Sequence, residues 1–374
     1  MEYKKKLKIY IFYLKYIYIY LFIIRMSEYT EIKTTNSSNN LLFIRTKKIP
    51  AIKSLFEALK EIFKDVNIKF MPKVEKINKE DGSVRVSGGM YIIALNSNSS
   101  IYVRMHLEAD KFCYYECNPI DPLKNHITLG VNMTNLFKLI KYLNNDDELY
   151  MIYNKENINQ FNLKYVNKMK KLTTNFYLNL LDLADQSITV GKQDFDFVIT
   201  MPSNDFHGLI KVMSGVADQV DIKLCSETVV YDNGKTVDKY SLKFYCKGEF
   251  VEFESSFDGC IKTNDIDAED EDKNNDDNTI GVFRHNDGSG QKNDADTNKE
   301  TIIQGIYELK SLSLFSRCSS LCSNIELYIK NNSPLVIKYR VADMGSVHLM
   351  LSQINNPELN DDSDSELDDD NDNI

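Results

Sequence analysis

Apolar residues recur along this chain at two spacings, one helical and one alternating, and together they predict a β-rich protein with four short helices. The first helical segment is Pro50–Asp65. Ile52, Leu55, Phe56, Leu59, Ile62 and Phe63 fall on one stripe, Lys53, Lys60 and Lys64 on the opposite one, and Pro50 suits a first turn. The second, Thr134–Leu143, turns Leu136, Leu139, Ile140 and Leu143 inward and Lys138 and Lys141 outward, with Thr134 as a candidate N-cap. The third, Ser203–Val216, places Phe206, Leu209, Ile210 and Met213 inside and His207 and Lys211 outside. Ser203 is its candidate cap, and Pro202 ends the preceding strand. The fourth, Tyr307–Arg317, is weaker: Leu309 and Leu312 point one way, while Lys310 and Arg317 share another stripe. Alternation marks strands at Ile92–Leu107, Phe176–Leu180, Phe195–Thr200, Ser241–Glu254, Asn324–Ile329 and Leu335–Ala342. Two helices precede residue 170 and two follow residue 200, so the pattern reads as a doubled α+β unit, each half carrying two short helices on one face.

Charge changes this picture because it is unevenly placed. The net charge is −10. Residues 264–300 hold 12 acids against 4 bases, and residues 356–374 hold 9 acids and no base. Neither segment has a pattern that buries apolar area, and both read as disordered. The remainder is close to neutral, so one face of the folded part is free to be basic. Lysine on a solvated helix face is ordinary. Its repetition on all four helices is what suggests contact with phosphates, which carries no base readout.

Seven cysteines form no even framework and fit a reducing compartment. Cys113/Cys117 and Cys318/Cys322 are each C-x3-C, but the first pair reads as strand and the second as a helix end, which does not build a tetrahedral zinc site. Carboxylates cluster at Asp182/Asp185 and Asp194/Asp196 without a second converging set. No Gly-rich phosphate loop, HExxH or nucleophile elbow is present. We therefore expect no catalytic residue, metal or cofactor. Residues 1–25 carry tyrosine-rich apolar runs broken by Lys15. They read as a translated leader upstream of a start at Met26, with a signal or anchor as the alternative. No membrane partner is expected of the folded part.

Near the C-terminus stands Pro334-Leu335-Val336-Ile337-Lys338-Tyr339-Arg340-Val341-Ala342-Asp343-Met344-Gly345. It resembles the final strand and turn of the proliferating cell nuclear antigen (PCNA) family, where a Pro-Leu-Val strand runs into Ala-Asp-Met-Gly. Glu57-Ala58-Leu59-Lys60 resembles the family's first helix, Gly130-Val131-Asn132-Met133-Thr134 the entry to its second, and Met201-Pro202-Ser203 with Phe206 the opening of its second domain. The resemblance spans roughly Asn40 to Gln353.

That resemblance implies a DNA clamp fold: a ring-forming subunit of two similar β-rich domains, each with two short helices on the inner face. It implies domains at 41–180 and 195–355 and a connector over 181–194; the extension over 1–40, the acidic insert at 264–300 and the acidic tail at 356–374 lie outside it. It implies a non-enzymatic homotrimer encircling double-stranded DNA regardless of sequence, in a nucleus or a viral replication compartment. Expected partners are DNA polymerase, other proteins bearing PCNA-interacting (PIP-box) peptides, and a clamp loader. Carried over for DNA are Lys53, Lys60, Lys138, Lys141, Lys211, Lys310 and Arg317. Carried over for the peptide pocket are Val103, Ile188, Val190, Pro334, Met350 and Ser352. The subunit edges are expected at Phe176–Leu180 and Ser241–Cys246, with Phe176, Tyr177, Leu178, Leu242 and Phe244 in contact.

Departures stand at Met350, where the family usually has an aromatic, and at Gln353 and Gly191, where it usually has proline. No lysine stands near Ser226–Glu227, where the eukaryotic family receives ubiquitin. A subunit of the heterotrimeric checkpoint clamp is the alternative, and a metal-dependent nuclease a distant one.

Overall fold

Each half of the chain folds the same sequence of elements, and strand pairing shows the repeat directly. In the computed structural model, residues 39–77, 84–96, 99–120, 124–184, 188, 195–230, 236–262, 280–284 and 302–354 are described. The first half runs β1 (Asn40–Thr46), α1 (Ile49–Ile62), β2 (Asp65–Ile77), β3 (Val84–Leu95), β4 (Ile101–Glu108), β5 (Tyr114–Cys117), β6 (Ile127–Asn132), α2 (Met133–Ile140), β7 (Glu148–Asn154), β8 (Gln160–Asn167) and β9 (Leu172–Asn179). The second runs β10 (Phe197–Pro202), α3 (Ser203–Met213), β11 (Gln219–Val230), β12 (Thr236–Lys247), β13 (Glu252–Lys262), β14 (Gly281–Arg284), β15 (Ile302–Glu308), α4 (Leu309–Ser316), β16 (Asn324–Ile329), β17 (Leu335–Arg340) and β18 (Gly345–Leu351). Strand order β5-β1-β7-β8-β9 in the first half matches β14-β10-β16-β17-β18 in the second, and β6-β2-β3-β4 matches β15-β11-β12-β13.

The halves join where β18 pairs antiparallel with β4, from Gly345↔Leu107 to Leu351↔Ile101. The Ala342-Asp343-Met344-Gly345 turn is built for this junction. Ala342 and Gly345 have φ of 47° and 150°. A Cβ on Gly345 would stand 2.0 Å from the His106 carbonyl oxygen, so only glycine lets β4 approach. Met344 is fully buried and its carbonyl accepts from Glu108 N at 2.9 Å. Asp343 Oδ1 lies 2.6 Å from Lys48 Nζ, at the entrance to α1.

Alternation explains the layers. In β4, Ile101, Val103, Met105 and Leu107 are buried, and the residues between them face outward. The helices close the other side of this core. Ile52, Leu55, Phe56, Leu59, Leu136, Ile140, Phe206, Ile210, Leu312 and Phe315 belong to one contiguous apolar cluster, each such side chain contributing about 1.5–3 kcal/mol of burial.

Several local expectations need correction. The segment 264–300 is not without structure throughout: Gly281–Arg284 is strand β14, paired with β10, and Ile280 and Val282 are buried. The cap of α2 is Asn132, whose side chain accepts from Asn135 N at 2.9 Å, not Thr134. Ser203 makes no cap bond; its hydroxyl faces Cys322 Sγ at 3.9 Å. Ile92–Leu107 is two strands around a turn in which Asn96 Oδ1 accepts from Ser100 N and Ile101 N, both at 3.0 Å. No helix among the described residues is long and apolar enough to cross a membrane.

Candidate nucleic-acid interface and partner groove

The four helices form one layer. α1 packs on α2, α3 packs on α4, and α1 also meets α4 and the 3-10 turn Arg317–Leu321 that follows it. On this layer Lys138, Lys141, Lys211 and Lys310 are exposed. Among the described residues none of these four makes an ion pair, and Lys141 Nζ lies 5.1 Å from the Tyr142 ring centroid. The other three expected bases are partly committed. Lys53 Nζ donates to the Leu143 carbonyl at 3.0 Å, tying α1 to the end of α2. Lys60 lies 3.1 Å from Glu61 Oε1 and over the Phe137 ring at 4.6 Å. Arg317 Nη1 lies 2.7 Å from Glu61 Oε2.

The outer face of the sheet carries the expected peptide pocket, with one residue misplaced. Val103 is fully buried and pairs with Leu349, also fully buried, so it faces the core and cannot share a pocket with Met350. The residue beside Met350 is Tyr102. Cross-strand pairing sets Leu95, Tyr102, Met350, Val336 and Tyr328 in one row over β3, β4, β18, β17 and β16. Pro334 is half-buried just before β17, and Ser352 is exposed just after β18. Leu95, Tyr102 and Val336 escaped sequence reasoning, although the alternation of β4 marks Tyr102 as outward.

The connector begins against this face. Leu181 N donates to the Gly130 carbonyl at 2.8 Å, and a Cβ on Gly130 would stand 2.2 Å from the Leu181 oxygen, which explains the glycine in that motif. Asn67 Nδ2 donates to the carbonyls of Leu183 (3.4 Å) and Ala184 (3.2 Å). Between connector and sheet lies a cleft of about 210 Å³ lined by Val66, Asn67, Ile93, Leu95, Leu183 and Ala184 among others. Ile188 is half-buried; Val190 lies outside the described residues.

Beside the apolar row runs a charged one: Ile93, Arg104, His348, Lys338 and Glu326. Burial, then Lys338 and Arg104, push the His348 imidazole down to about 4. Burial alone would raise Glu326, but hydrogen bonds from Tyr328 (2.6 Å) and Lys338 (2.9 Å) outweigh it and hold the carboxyl below its usual range.

Strands β5, β6, β9 and β15 each have one neighbour in their sheets, and β13, between β12 and β14, is open on its far side over most of its length. β9 pairs only with β8 over its length. Tyr177 is exposed there, Phe176 half-buried against Tyr165, and Leu178 buried. The second expected edge, Ser241–Cys246, is wrong. It lies in β12, flanked by β11 and β13, and Leu242 and Phe244 are fully buried. Outward of β12, β13 presents Glu252, Glu254 and Asp258 as exposed acids, and its far side is paired only at Ile261 and Lys262.

No three His, Cys, Asp or Glu side chains converge among the described residues. Asp182 and Asp196 are exposed, and Asp185 and Asp194 lie outside the described residues.

The repeated half and the shared helix layer are those of the DNA clamp fold. Residues 41–187 match the sequence model described as proliferating cell nuclear antigen, N-terminal domain. The chain is 28% identical to a "Probable DNA polymerase sliding clamp" of Acanthamoeba polyphaga mimivirus over 87% of its own length and 64% of that protein's. It is 28% identical to "Probable DNA polymerase sliding clamp 1" of Paramecium bursaria Chlorella virus 1, over 85% of the chain and 99% of the relative. The crystal structure of PCNA from Entamoeba histolytica superposes with a TM-score of 0.60 at 18% identity, covering 84% of this chain and 99% of that one. In sequence and in fold the chain is similar to the PCNA-type DNA polymerase sliding clamps.

Proposed function

We propose that this protein is a sliding clamp: a non-enzymatic ring of three copies that encircles duplex DNA and holds DNA polymerase and other peptide-bearing proteins on it. The repeat carries this reading. Within the chain, β18, the last strand of one half, pairs with β4 of the other. Their counterparts in the repeat are β9, a terminal strand, and β13, whose far side is paired only at Ile261 and Lys262. Joining β9 of one copy to β13 of the next repeats the internal seam between molecules, a heterologous contact that closes when the rotation allows and covers both of these open strand sides.

On this reading the clamp domains are 41–180 and 195–355. The helix layer lines the hole. Lys138, Lys141, Lys211 and Lys310 attract phosphates without reading bases, and Lys53, Lys60 and Arg317 assist from their internal contacts. The outer apolar row with the cleft, including Met350, Pro334, Ser352, Ile188 and Val190, docks short peptides of the polymerase and other partners. A clamp loader opens the ring in the nucleus or in a viral replication compartment.

The test is retention on circular DNA against the same DNA after linearisation. A ring is trapped on the circle and slides off the ends. Equal loss from both, after loading, rules out encirclement.

A further inference from the structure

The charged row beside the docking groove has an unbalanced member. Lys338 and Arg340 both lean on Glu326, at 2.9 and 3.5 Å. Arg104 is exposed, and among the described residues it has no carboxylate partner. It stands two residues from Tyr102 on the same face of β4, roughly 7 Å along the strand. Its cross-strand neighbours are Ile93, which lines the cleft, and His348. The lip of the groove therefore carries an exposed guanidinium between Ile93 and His348, with no ion pair among the described residues.

At neutral pH the row around it is otherwise balanced. His348 is held neutral by burial and by its cationic neighbours. Tyr91 stacks on His106 at 4.1 Å one step further along, and Glu108, beyond it on the same face of β4, makes no ion pair with Arg104 among the described residues. A cation at the edge of an apolar groove discriminates by charge and by fork geometry: it accepts a carboxylate with two parallel hydrogen bonds and repels an ammonium.

Resting on the groove as a docking site for peptides, we propose that Arg104 selects partners whose docking segment carries a carboxylate side chain next to its apolar anchors. The occupant is an acidic partner peptide, chosen by charge complementarity with the one uncommitted cation of the row.

The test uses three labelled synthetic peptides with the same pair of aromatic anchors and Glu, Gln or Lys at the flanking position, read by fluorescence anisotropy on the full chain. The Glu peptide should bind about three- to tenfold more tightly than the Lys peptide, the gap narrowing with added salt. Arg104→Gln should abolish the difference with binding of the Gln peptide unchanged. Arg104→Glu should reverse the order, which a merely misfolded variant would not do. Equal binding of all three peptides to the native chain, or a preference that persists in Arg104→Gln, overturns the role of Arg104 while leaving the groove intact. Failure of all three to bind removes the groove reading and this inference with it. A preference for Glu lost on adding a peptide of the chain's own residues 356–374 in trans, but unaffected by Arg104→Gln, assigns the selectivity elsewhere and also overturns it.

Discussion

Arg317 Nη1 and Glu61 Oε2 lie 2.7 Å apart across the two halves of the chain, one from the turn after α4 and the other from the end of α1. Glu61 also holds Lys60 at 3.1 Å, so one carboxylate offsets two of the bases on the helix layer. Glu61→Gln should free both and tighten DNA binding about two- to threefold at low salt, with a stability change within about 1 kcal/mol because the pairs are partly solvated. A salt-titrated binding assay and a urea melt measure the two effects. Weaker binding in this variant would show that the pair positions the helices rather than masking charge.

The uncommitted lysines act jointly. Changing Lys138, Lys141, Lys211 and Lys310 together to Gln should lower DNA affinity at every sequence and flatten the dependence of log K on log salt, since each phosphate contact releases counterion. Any single change should barely register. Light scattering should find the assembly unaltered. An unchanged salt slope in the fourfold variant would leave these side chains as ordinary solvated surface.

Assembly and folding separate at neighbouring strands. Tyr177→Asp places a carboxylate on the β9 edge, where the opposing β13 would present Glu252, Glu254 and Asp258. Like charges across a strand pair are unfavourable, so the variant should shift toward monomer with its melt little changed. Leu242→Ala, on an interior strand and fully buried, should instead cost about 2–5 kcal/mol of stability. Light scattering and thermal unfolding on both variants check the assignment; a Tyr177→Asp protein of native mass would exclude β9 as the seam.

Stability should fall on mild acidification. The unfolded chain protonates His348 near its ordinary value of 6.5, whereas the folded protein resists to about 4. Between these values unfolding takes up a proton, so the contribution is whole above pH 6.5 and is lost progressively as the pH falls toward 4. Arg104, Lys338 and Glu326 face the ring from β4, β17 and β16. His348→Gln should make Tm less sensitive over that range, seen by comparing melts at about pH 7 and about pH 5. Identical pH profiles for both proteins would show that His348 is not the responsible group.

Two residues of one turn should differ sharply. Gly345→Ala forces a Cβ to 2.0 Å from the His106 oxygen at a φ of 150°, a cost of about 2 kcal/mol or more. Asp343→Asn loses an exposed pair with Lys48, worth within about 1 kcal/mol. Urea unfolding of the two variants gives the comparison.

The helices and the doubled plan were legible because an apolar stripe at helical spacing survives burial on one face: Leu55, Phe56 and Leu59, or Phe206 and Ile210, are core in the structure as their spacing required. What escaped depends on pairing. Ser241–Cys246 alternates as an edge strand would, yet it is enclosed on both sides, and no local pattern distinguishes an interior strand from an edge when the neighbour is another strand of the same sheet. The family resemblance places Val103 in the groove, but its own strand does not. The period-2 rule, applied from Ile101 through Leu107, would have turned it inward and put Tyr102 and Arg104 on the outer face. Asn132 displaced Thr134 as the cap because α2 begins at Met133, earlier than a cap at Thr134 would place it.

The seam between β18 and β4 has a mechanical consequence for the assembly. Its two strands belong to one polypeptide, threaded through the connector and the second half of the chain, so this joint has no bimolecular dissociation and is tied by the Lys48–Asp343 contact as well. In the proposed ring, the joint between β9 of one copy and β13 of the next would repeat this pairing with no covalent tether. Every second joint would then be tied through the chain itself, and opening or dilution would act first at the joints between copies, releasing intact single chains.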